Sequence, residues 1–596
     1  MQEKIWNIAE AAPLDWQNKF PELPSFLRQL LWSRGLRTQE AIDEFLNPDY
    51  GKDIHDPFLL KDMAKAVERI FNAINKKEKI AIYGDYDADG VTGSVILETT
   101  LKALGAEISE VHLPHREKEG YGLNKKAVEH LIAAGSKVII TCDCGIANFD
   151  EVALAQNQGV DVIITDHHSI PEVLPPACVI LHPLLPDSGY PFPYLTGGGV
   201  AYKLAQGLLR QLPPLRLRGG EVGLGEVNNA PQPLLTLRGG EMYDGFEKWL
   251  LDLVAISTIA DVGKLIGENR TLVKYGLIVL KKTRRLGLKK LYEVAKINPD
   301  AIDAWSVAFQ ITPRINAAGR MNHANAAYNL LASQNEEEAG KLAYELNQTN
   351  QERQKETEKI VAEAKKQIGA GEKYFLSACG EAWPVGIIGL AAGKISDEFH
   401  RPAVLATKNE EGLLIGSARS INQFDIIEAF RSASSLFIKF GGHPKAAGFS
   451  LKGKKEWKAF QKRMEELAQE KLRGFDLSPS LTIDAAVNLG EVNWELWNNV
   501  VGLEPFGEGN PRPKFLAKNL KVAALDRVGN DGKHLRLTVT DDSRVSRKMI
   551  GFSFGVWRER LSLGDKIDAV FEVGVNTWNG NQELELKIVD IKHSKL

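Results

Sequence analysis

The stretch IAIYGDYDADGVT at residues 80–92 constrains the fold more than any other part of the chain. An apolar run of strand length gives way to three aspartates at alternate positions, Asp85, Asp87 and Asp89, and residues 93–104 follow with helical composition. Carboxylates at every second position can converge on one point, where each raises the cost of ionising the next unless a cation compensates. A divalent metal is the natural compensator. The spelling D-x-D-x-D-G also opens an EF-hand calcium loop, which needs a preceding helix and a bidentate Glu at its last ligand position. That position is Ile96 here, and a strand precedes, so the EF-hand reading fails.

Two further apolar runs end in the same chemistry. VIITCDCG at 138–145 delivers Asp143, and VDVIITDHH at 160–168 delivers Asp166, His167 and His168. Alternation of such runs with amphipathic stretches predicts a parallel α/β sheet, in which ligands gather outside the carboxyl ends of the strands. Asp261 follows the apolar stretch 246–259, expected as a helix. A lone Asp or His is more often a cap or a satisfied core residue than a ligand. Recurrence at successive strand ends overturns that reading. Hard oxygen donors with one or two imidazoles suit Mn²⁺ or Mg²⁺ better than zinc. Two such ions, about 3.5–4 Å apart, could clamp a phosphodiester, with Asp143 as the bridging carboxylate.

A chain of 596 residues has room for several domains. Its 74 Lys and Arg against 77 Asp and Glu leave a net charge of −3, so a polyanion partner must be met by local patches. Such patches exist. Residues 431–475 hold 11 Lys and Arg against 4 Asp and Glu, and residues 512–566 hold 13 against 6. Four cysteines make no disulfide framework, no secretion signal opens the chain, and no uncharged apolar run reaches the roughly 18 residues of a membrane span. A cytoplasmic protein without membrane contact is expected.

Residues 1–75 read as a helical preface without recognisable chemistry. Residues 212–245 carry LRGGE twice in a Pro- and Gly-rich passage, expected as a flexible surface insertion. PRINAAGRM at 313–321 reads as a Gly-containing loop presenting Arg314, Asn316 and Arg320. Residues 336–370 suit a long bridging helix, charged all round. A second α/β unit, 371–475, carries GSARS at 416–420, with Ser417 and Arg419, and GGHPKAAGFS at 441–450, with Gly441, Gly442 and His443. Residues 478–596 alternate as in a small antiparallel barrel, on which Phe515, Phe552, Phe554, Trp557 and Trp578 are candidates to stack on unpaired bases, one or two of them in fact doing so.

In this order the stretches YGDYDADG, DCG, DHH and AD, up to Asp261, resemble the successive motifs of the DHH phosphoesterase family. PRINAAGRM, SAR, GGHPKAAGFS and LEPFGEGNP at 503–511 narrow the resemblance to that family's single-stranded-DNA-specific exonucleases. The resemblance implies a multidomain α/β fold: a parallel-sheet DHH domain at 76–335, a connecting helix, a DHHA1-type substrate-binding domain and a C-terminal OB-fold barrel. It implies a two-metal exonuclease, using Mn²⁺ or Mg²⁺, that degrades single-stranded DNA from the 5′ end to mononucleotides in repair and recombination. Such an enzyme would act as a monomer, alongside a helicase and a single-strand-binding protein. Carried over position by position, Asp87, Asp89, Asp143, His167 and Asp261 would be metal ligands, and Asp85 and Asp166 would support them. His168 would face the scissile phosphate. Arg314, Asn316, Arg320, Ser417, Arg419, Gly441, Gly442 and His443 would hold the substrate. One departure follows Asp261, where Val262-Gly263-Lys264-Leu265 replaces the usual Val-Val-Pro-Leu. The rival readings are a DHH phosphodiesterase of oligoribonucleotides or small nucleotides, and a strand-binding scaffold with a decayed metal pocket.

Overall fold

The computed structural model describes residues 3–210, 245–369, 371, 373–409, 411–529, 531–578 and 580–594. The expected insertion lies outside them except for Gly245. Contacts divide the chain into two units, one of residues 50–264 and 271–477, the other of residues 1–49, 265–270 and 478–596.

The first unit is built on a five-stranded parallel sheet in the spatial order Ile108–His112, Lys79–Tyr83, Ser136–Cys142, Asp161–Thr165, Val179–Leu181. The three inner strands are apolar almost throughout because helices cover both faces. Register then places the chemistry. Tyr83 pairs with Thr141 and Cys142 with Thr165, so neighbouring strands end together and Asp85, Asp143 and Asp166 emerge side by side. The helix Ala88–Ala103 is buried along most of its length against Gly197–Arg210 and Leu251–Ala260. Glycine at 90 lets its first turn close over the aspartate loop, since a Cβ there would come within 2.5 Å of the Asp85 nitrogen.

The bridging helix runs Glu336–Ile368, capped by the Asn335 side chain, which accepts from the Glu337 and Glu338 N–H groups. It leads to a second sheet in the order Lys439–His443, Ala446–Leu451, Leu414–Arg419, Ala403–Lys408, Leu376–Gly380, in which only the last pair is parallel. One expectation is corrected here. PRINAAGRM is not a loop but the helix Thr312–Met321, with Pro313 in its first turn, where a missing N–H is harmless. Gly441 and Gly442 lie within a strand, and Gly442 (φ +142°) leaves room for the Ala446 carbonyl of its hairpin partner.

In the second unit five strands, Phe515–Val528, His534–Thr540, Ser546–Gly551, Lys566–Trp578 and Asn581–His593, close into a barrel through pairing of the first with the fourth. Residues 1–49 belong here, not to one preface of 75 residues. Ile5–Ile8 pairs in parallel with Ser480–Ile483, and Trp16, Leu30, Leu31 and Phe45 share a core with Leu496, Phe515 and Phe571. Of the five proposed stacking rings, Phe515 and Phe554 are buried in that core and Trp557 packs against it. Phe552 is 55% exposed. The Trp578 side chain lies outside the described ones. Among the described residues no helix is long and apolar enough to cross a membrane.

Candidate metal centre

Three sets of side chains bring one ligand atom each to within 4.8 Å of one another: Asp85, Asp87 and Asp143; Asp89, His167 and Asp261; and Asp143, His167 and His168. The first two sets share no residue. They are joined where His167 Nε2 lies 3.1 Å from Asp143 Oδ1, with Asp89 Oδ2 at 3.8 Å and Asp261 Oδ2 at 3.7 Å from the same nitrogen. The structure thus gathers all five residues expected as ligands, and it brings Asp85 among them rather than behind them.

Each carboxylate is held by its surroundings. Asp87 caps the helix Ala88–Ala103, accepting from Asp89 and Gly90 N–H. Asp89 accepts from Gly197 and Gly198 N–H at 2.7 Å and from the Ser257 hydroxyl. Asp143 sits at φ +63°, a left-handed conformation that Asp tolerates better than most residues. Gly197 presses on it so closely that a Cβ would fall 2.5 Å from Asp143 Cβ. Asp166 takes the N–H groups of Ile146, His167 and His168 and the His168 Nδ1 at 2.8 Å, which leaves it to orient the imidazole.

Crowding shows in the titration. Burial, then the neighbouring carboxylates, pushes Asp85, Asp87 and Asp143 above the usual carboxylate range and Asp261 up to about 8. Asp85 Oδ1 is buried with no hydrogen-bond partner. An orphaned acidic oxygen among like charges is what a hard divalent cation satisfies, so the donor set fits Mn²⁺ or Mg²⁺. Burial is the largest single influence on His168 and opposes its charge, but the Asp166 hydrogen bond together with the charges of Asp166, Asp261 and Asp89 outweighs it and raises that ring to about 9. Burial keeps His167 low, in the neutral form that a metal ligand requires.

Sequence reasoning missed the residues that steady His168. His182 is fully buried. Its Nδ1 accepts from Leu184 N–H, which leaves Nε2–H to donate to the His168 carbonyl at 2.7 Å. The Tyr121 hydroxyl donates to the Asp143 carbonyl and lies 2.9 Å from His168 Nδ1. No motif spacing marks either residue. His182→Leu is expected to cut kcat about tenfold with little change in KM, as loss of an orienting partner does. Steady-state kinetics beside a melting curve checks this, and an unchanged kcat would show that the bond orients nothing.

After Asp261, Val262 takes φ +56° and Gly263 packs where a Cβ would meet Thr196 Cγ2 at 2.9 Å. Lys264 Nζ rests over the Tyr194 ring, 4.1 Å from its centroid. The altered stretch is therefore fitted to its own neighbours.

The expected phosphate ligands separate into two groups. Asn316 Oδ1 accepts from Ala88 N–H and so braces the aspartate loop, and Arg314 donates to Asn347 and to the Gln310 carbonyl. His443 stands exposed at the end of its strand. Arg320 and Arg419 converge with Arg116 and Arg353, two residues no motif had marked. Burial first, then Arg116, Arg353 and Arg419, holds Arg320 down to about 10, while Asp87 pulls the other way. Among the described residues none of the four ion-pairs with a carboxylate. Arg116 lies over Tyr86 of the aspartate loop and lines a cavity of about 450 Å³ with Gly416, Ser417 and Gly441. Guanidinium forks without a carboxylate partner suit phosphate oxygens.

The chain matches three family models: the DHH family N-terminal domain at residues 79–221, the DHHA1 domain at 371–470 and the RecJ OB domain at 483–590. It is 36% identical to the single-stranded-DNA-specific exonuclease RecJ of Bacillus subtilis over 94% of this chain and 67% of that one. It is 31% identical to the Escherichia coli protein of the same name over 96% of each. The chain belongs to the RecJ family. The crystal structure of Thermus thermophilus RecJ in complex with Mn²⁺ superposes with a TM-score of 0.81 at 30% identity, covering 99% of this chain and 80% of that one. A Mg²⁺ complex of the same RecJ gives 0.75.

Proposed function

We propose that this chain is a metal-dependent exonuclease that releases mononucleotides from the 5′ end of single-stranded DNA. The observation that carries the reading is the pair of ligand sets meeting at Asp143 and His167, 3.1 Å apart, with Arg320, which feels both Asp87 and the other three arginines, close by. Two divalent cations bound there would supply Lewis-acid charge to the phosphoryl group and acidify an attacking water. The chain's own groups do the rest. Asp89 and Asp143, fixed by backbone N–H groups and by tight glycine packing, hold their oxygens in place without reorganisation. His168, charged through Asp166, stands to offset negative charge gathering on the phosphate. The Arg116 cavity, lined by Gly416, Ser417 and Gly441, suits a terminal phosphate, which would make the enzyme act from an end. The 5′ polarity rests on the family resemblance, as do the repair setting, the monomeric state and the helicase and single-strand-binding partners, while the cytoplasmic setting rests on the sparse cysteines.

Oligonucleotides labelled at either end and incubated with Mn²⁺ test this directly. Release of the 5′ label as a mononucleotide is expected. A preference for dinucleotides over long strands would favour a small-nucleotide phosphodiesterase, and binding without cleavage would favour a scaffold.

The barrel's share is best tested by substitution. Removing residues 481–596 would strip Trp16, Leu30 and Phe45 of their core partners. Phe552→Ala is instead expected to weaken binding of a long strand by about 1–3 kcal/mol, the worth of one stacked base. Dinucleotide turnover should stay unchanged, and equal losses on both substrates would contradict a strand-gripping role.

A further inference from the structure

Beside the arginines lies a second cavity, of about 370 Å³, between the helix Thr312–Met321 and the bridging helix. Ala318, Asn322, His323, Tyr344, Gln348 and Thr349 line it. Its walls combine what a nucleotide recognises. Tyr344 is 58% exposed on a helix whose surface is otherwise polar, so a flat ring faces solvent with nothing on it. His323 Nδ1 accepts from Asn325 N–H, which places its proton on Nε2, and that N–H has no acceptor among the described residues. His115, next to Arg116, is set in the same way: its Nδ1 accepts from Glu117 N–H, and its ring meets that of His323 edge to face at 5.7 Å. With both Nδ1 atoms taken as acceptors, these imidazoles are donors and not metal ligands.

We propose that this cavity is a nucleotide subsite for the single strand that occupies the metal centre, with the base stacked on Tyr344 and a phosphate held by His323. The inference rests on the exonuclease reading above. Position supports it. His323 stands three residues beyond Arg320, and Thr349 precedes Arg353 by one helical turn, so the cavity adjoins the arginines that would grip the strand. The only acid in the lining, Glu345, is half-exposed beside Lys341, and Glu119, which acts on His323 from outside the lining, is itself engaged by the His115 N–H, Asn124 and His112. A ring stacks on any base, which suits an enzyme that must pass every sequence.

The test is binding of dye-labelled oligonucleotides to the full chain in EDTA, which keeps the strand intact, with a single abasic nucleotide or neutral methylphosphonate linkage stepped along from the 5′ end. Tyr344→Ala is expected to weaken binding about tenfold, the factor that one stacked base commands, and Tyr344→Phe to leave it unchanged. One abasic position should weaken the unaltered protein by the same factor and cost Tyr344→Ala nothing more. His323→Gln should likewise lose its effect at one methylphosphonate linkage. Wild-type binding by Tyr344→Ala, or losses tied to no position, would overturn the subsite. Hydrolysis of the unmodified strand with Mn²⁺ is run alongside. Cleavage without any position effect sinks the subsite alone, whereas absence of cleavage sinks the exonuclease reading on which it rests.

Discussion

Asp143→Asn is expected to lower metal-dependent hydrolysis of single-stranded DNA by about a thousandfold or more, the several kcal/mol that a metal centre contributes to phosphoryl transfer. Asp143 is the one carboxylate that belongs to two of the three ligand-capable sets, so its charge serves both halves of the centre. An amide in its place keeps the shape and removes the anion. Asn is the informative replacement because residue 143 sits at φ +63°, where Asn is at ease and Ala adds backbone strain that would blur the result. Strand binding should survive, since Arg116, Arg320 and Arg419, in the proposed reading, would grip phosphates without help from this carboxylate. Anisotropy on a labelled strand beside a cleavage assay separates the two effects. Cleavage at the original rate would remove Asp143 from the ligand set, and loss of binding in step with cleavage would place it in strand recognition instead.

The sequence made this centre legible because its parts are local and repeated. Three apolar strands each end in acidic residues, and parallel pairing turns that repetition into proximity. The two other strands of the sheet were not legible. Ile108–His112 is half-buried and carries Glu110 and His112, and Val179–Leu181 is three residues long, so neither has a strong apolar signal. The arginines were half legible. Arg320 and Arg419 lie in motifs, whereas Arg116 and Arg353 reach the same place from a loop and from the middle of a 33-residue helix. Arg314 and Asn316 share a motif with Arg320, yet Arg314, six residues back, donates to Asn347, and Asn316, one turn back on the same face, is taken up by the Ala88 N–H. Composition cannot tell Phe552 from Phe554, two residues apart beyond a strand, and only the closed barrel decides which is core. The attachment of residues 1–49 to the barrel depends on pairing across more than 470 residues, which no local pattern records.

The same crowding that marks the centre makes folding stability depend on metal, and the dependence on pH has a definite sign. Asp85, Asp87, Asp143 and Asp261 all have folded pKa values above their unfolded ones. Each then contributes stability that is fully present below its unfolded pKa, about 4, and is lost as pH rises through the folded value, about 8 for Asp261. His168, raised to about 9, adds a loss of the same sign from its unfolded value upward. His167 is lowered and acts the other way, but only as pH falls below its unfolded value. The metal-free protein should therefore melt lower at pH 8 than at pH 5.5. A bound cation reverses the penalty because it favours the ionised carboxylates. Saturating Mn²⁺, at about a hundred times Kd, adds roughly 2.7 kcal/mol per site. For two sites the expected rise in Tm at pH 8 is about 5 °C or more, and at pH 5.5 it should be clearly smaller, since protons already neutralise the cluster and compete with the cation. Asp143→Asn should raise the metal-free melting temperature at pH 8 and blunt the Mn²⁺ increment, because it removes one of the repelling charges and one of the ligands together. Melting curves in EDTA and in Mn²⁺ at the two pH values decide the matter: an increment that is absent, or equal at both, would mean that these carboxylates do not meet at a shared cation.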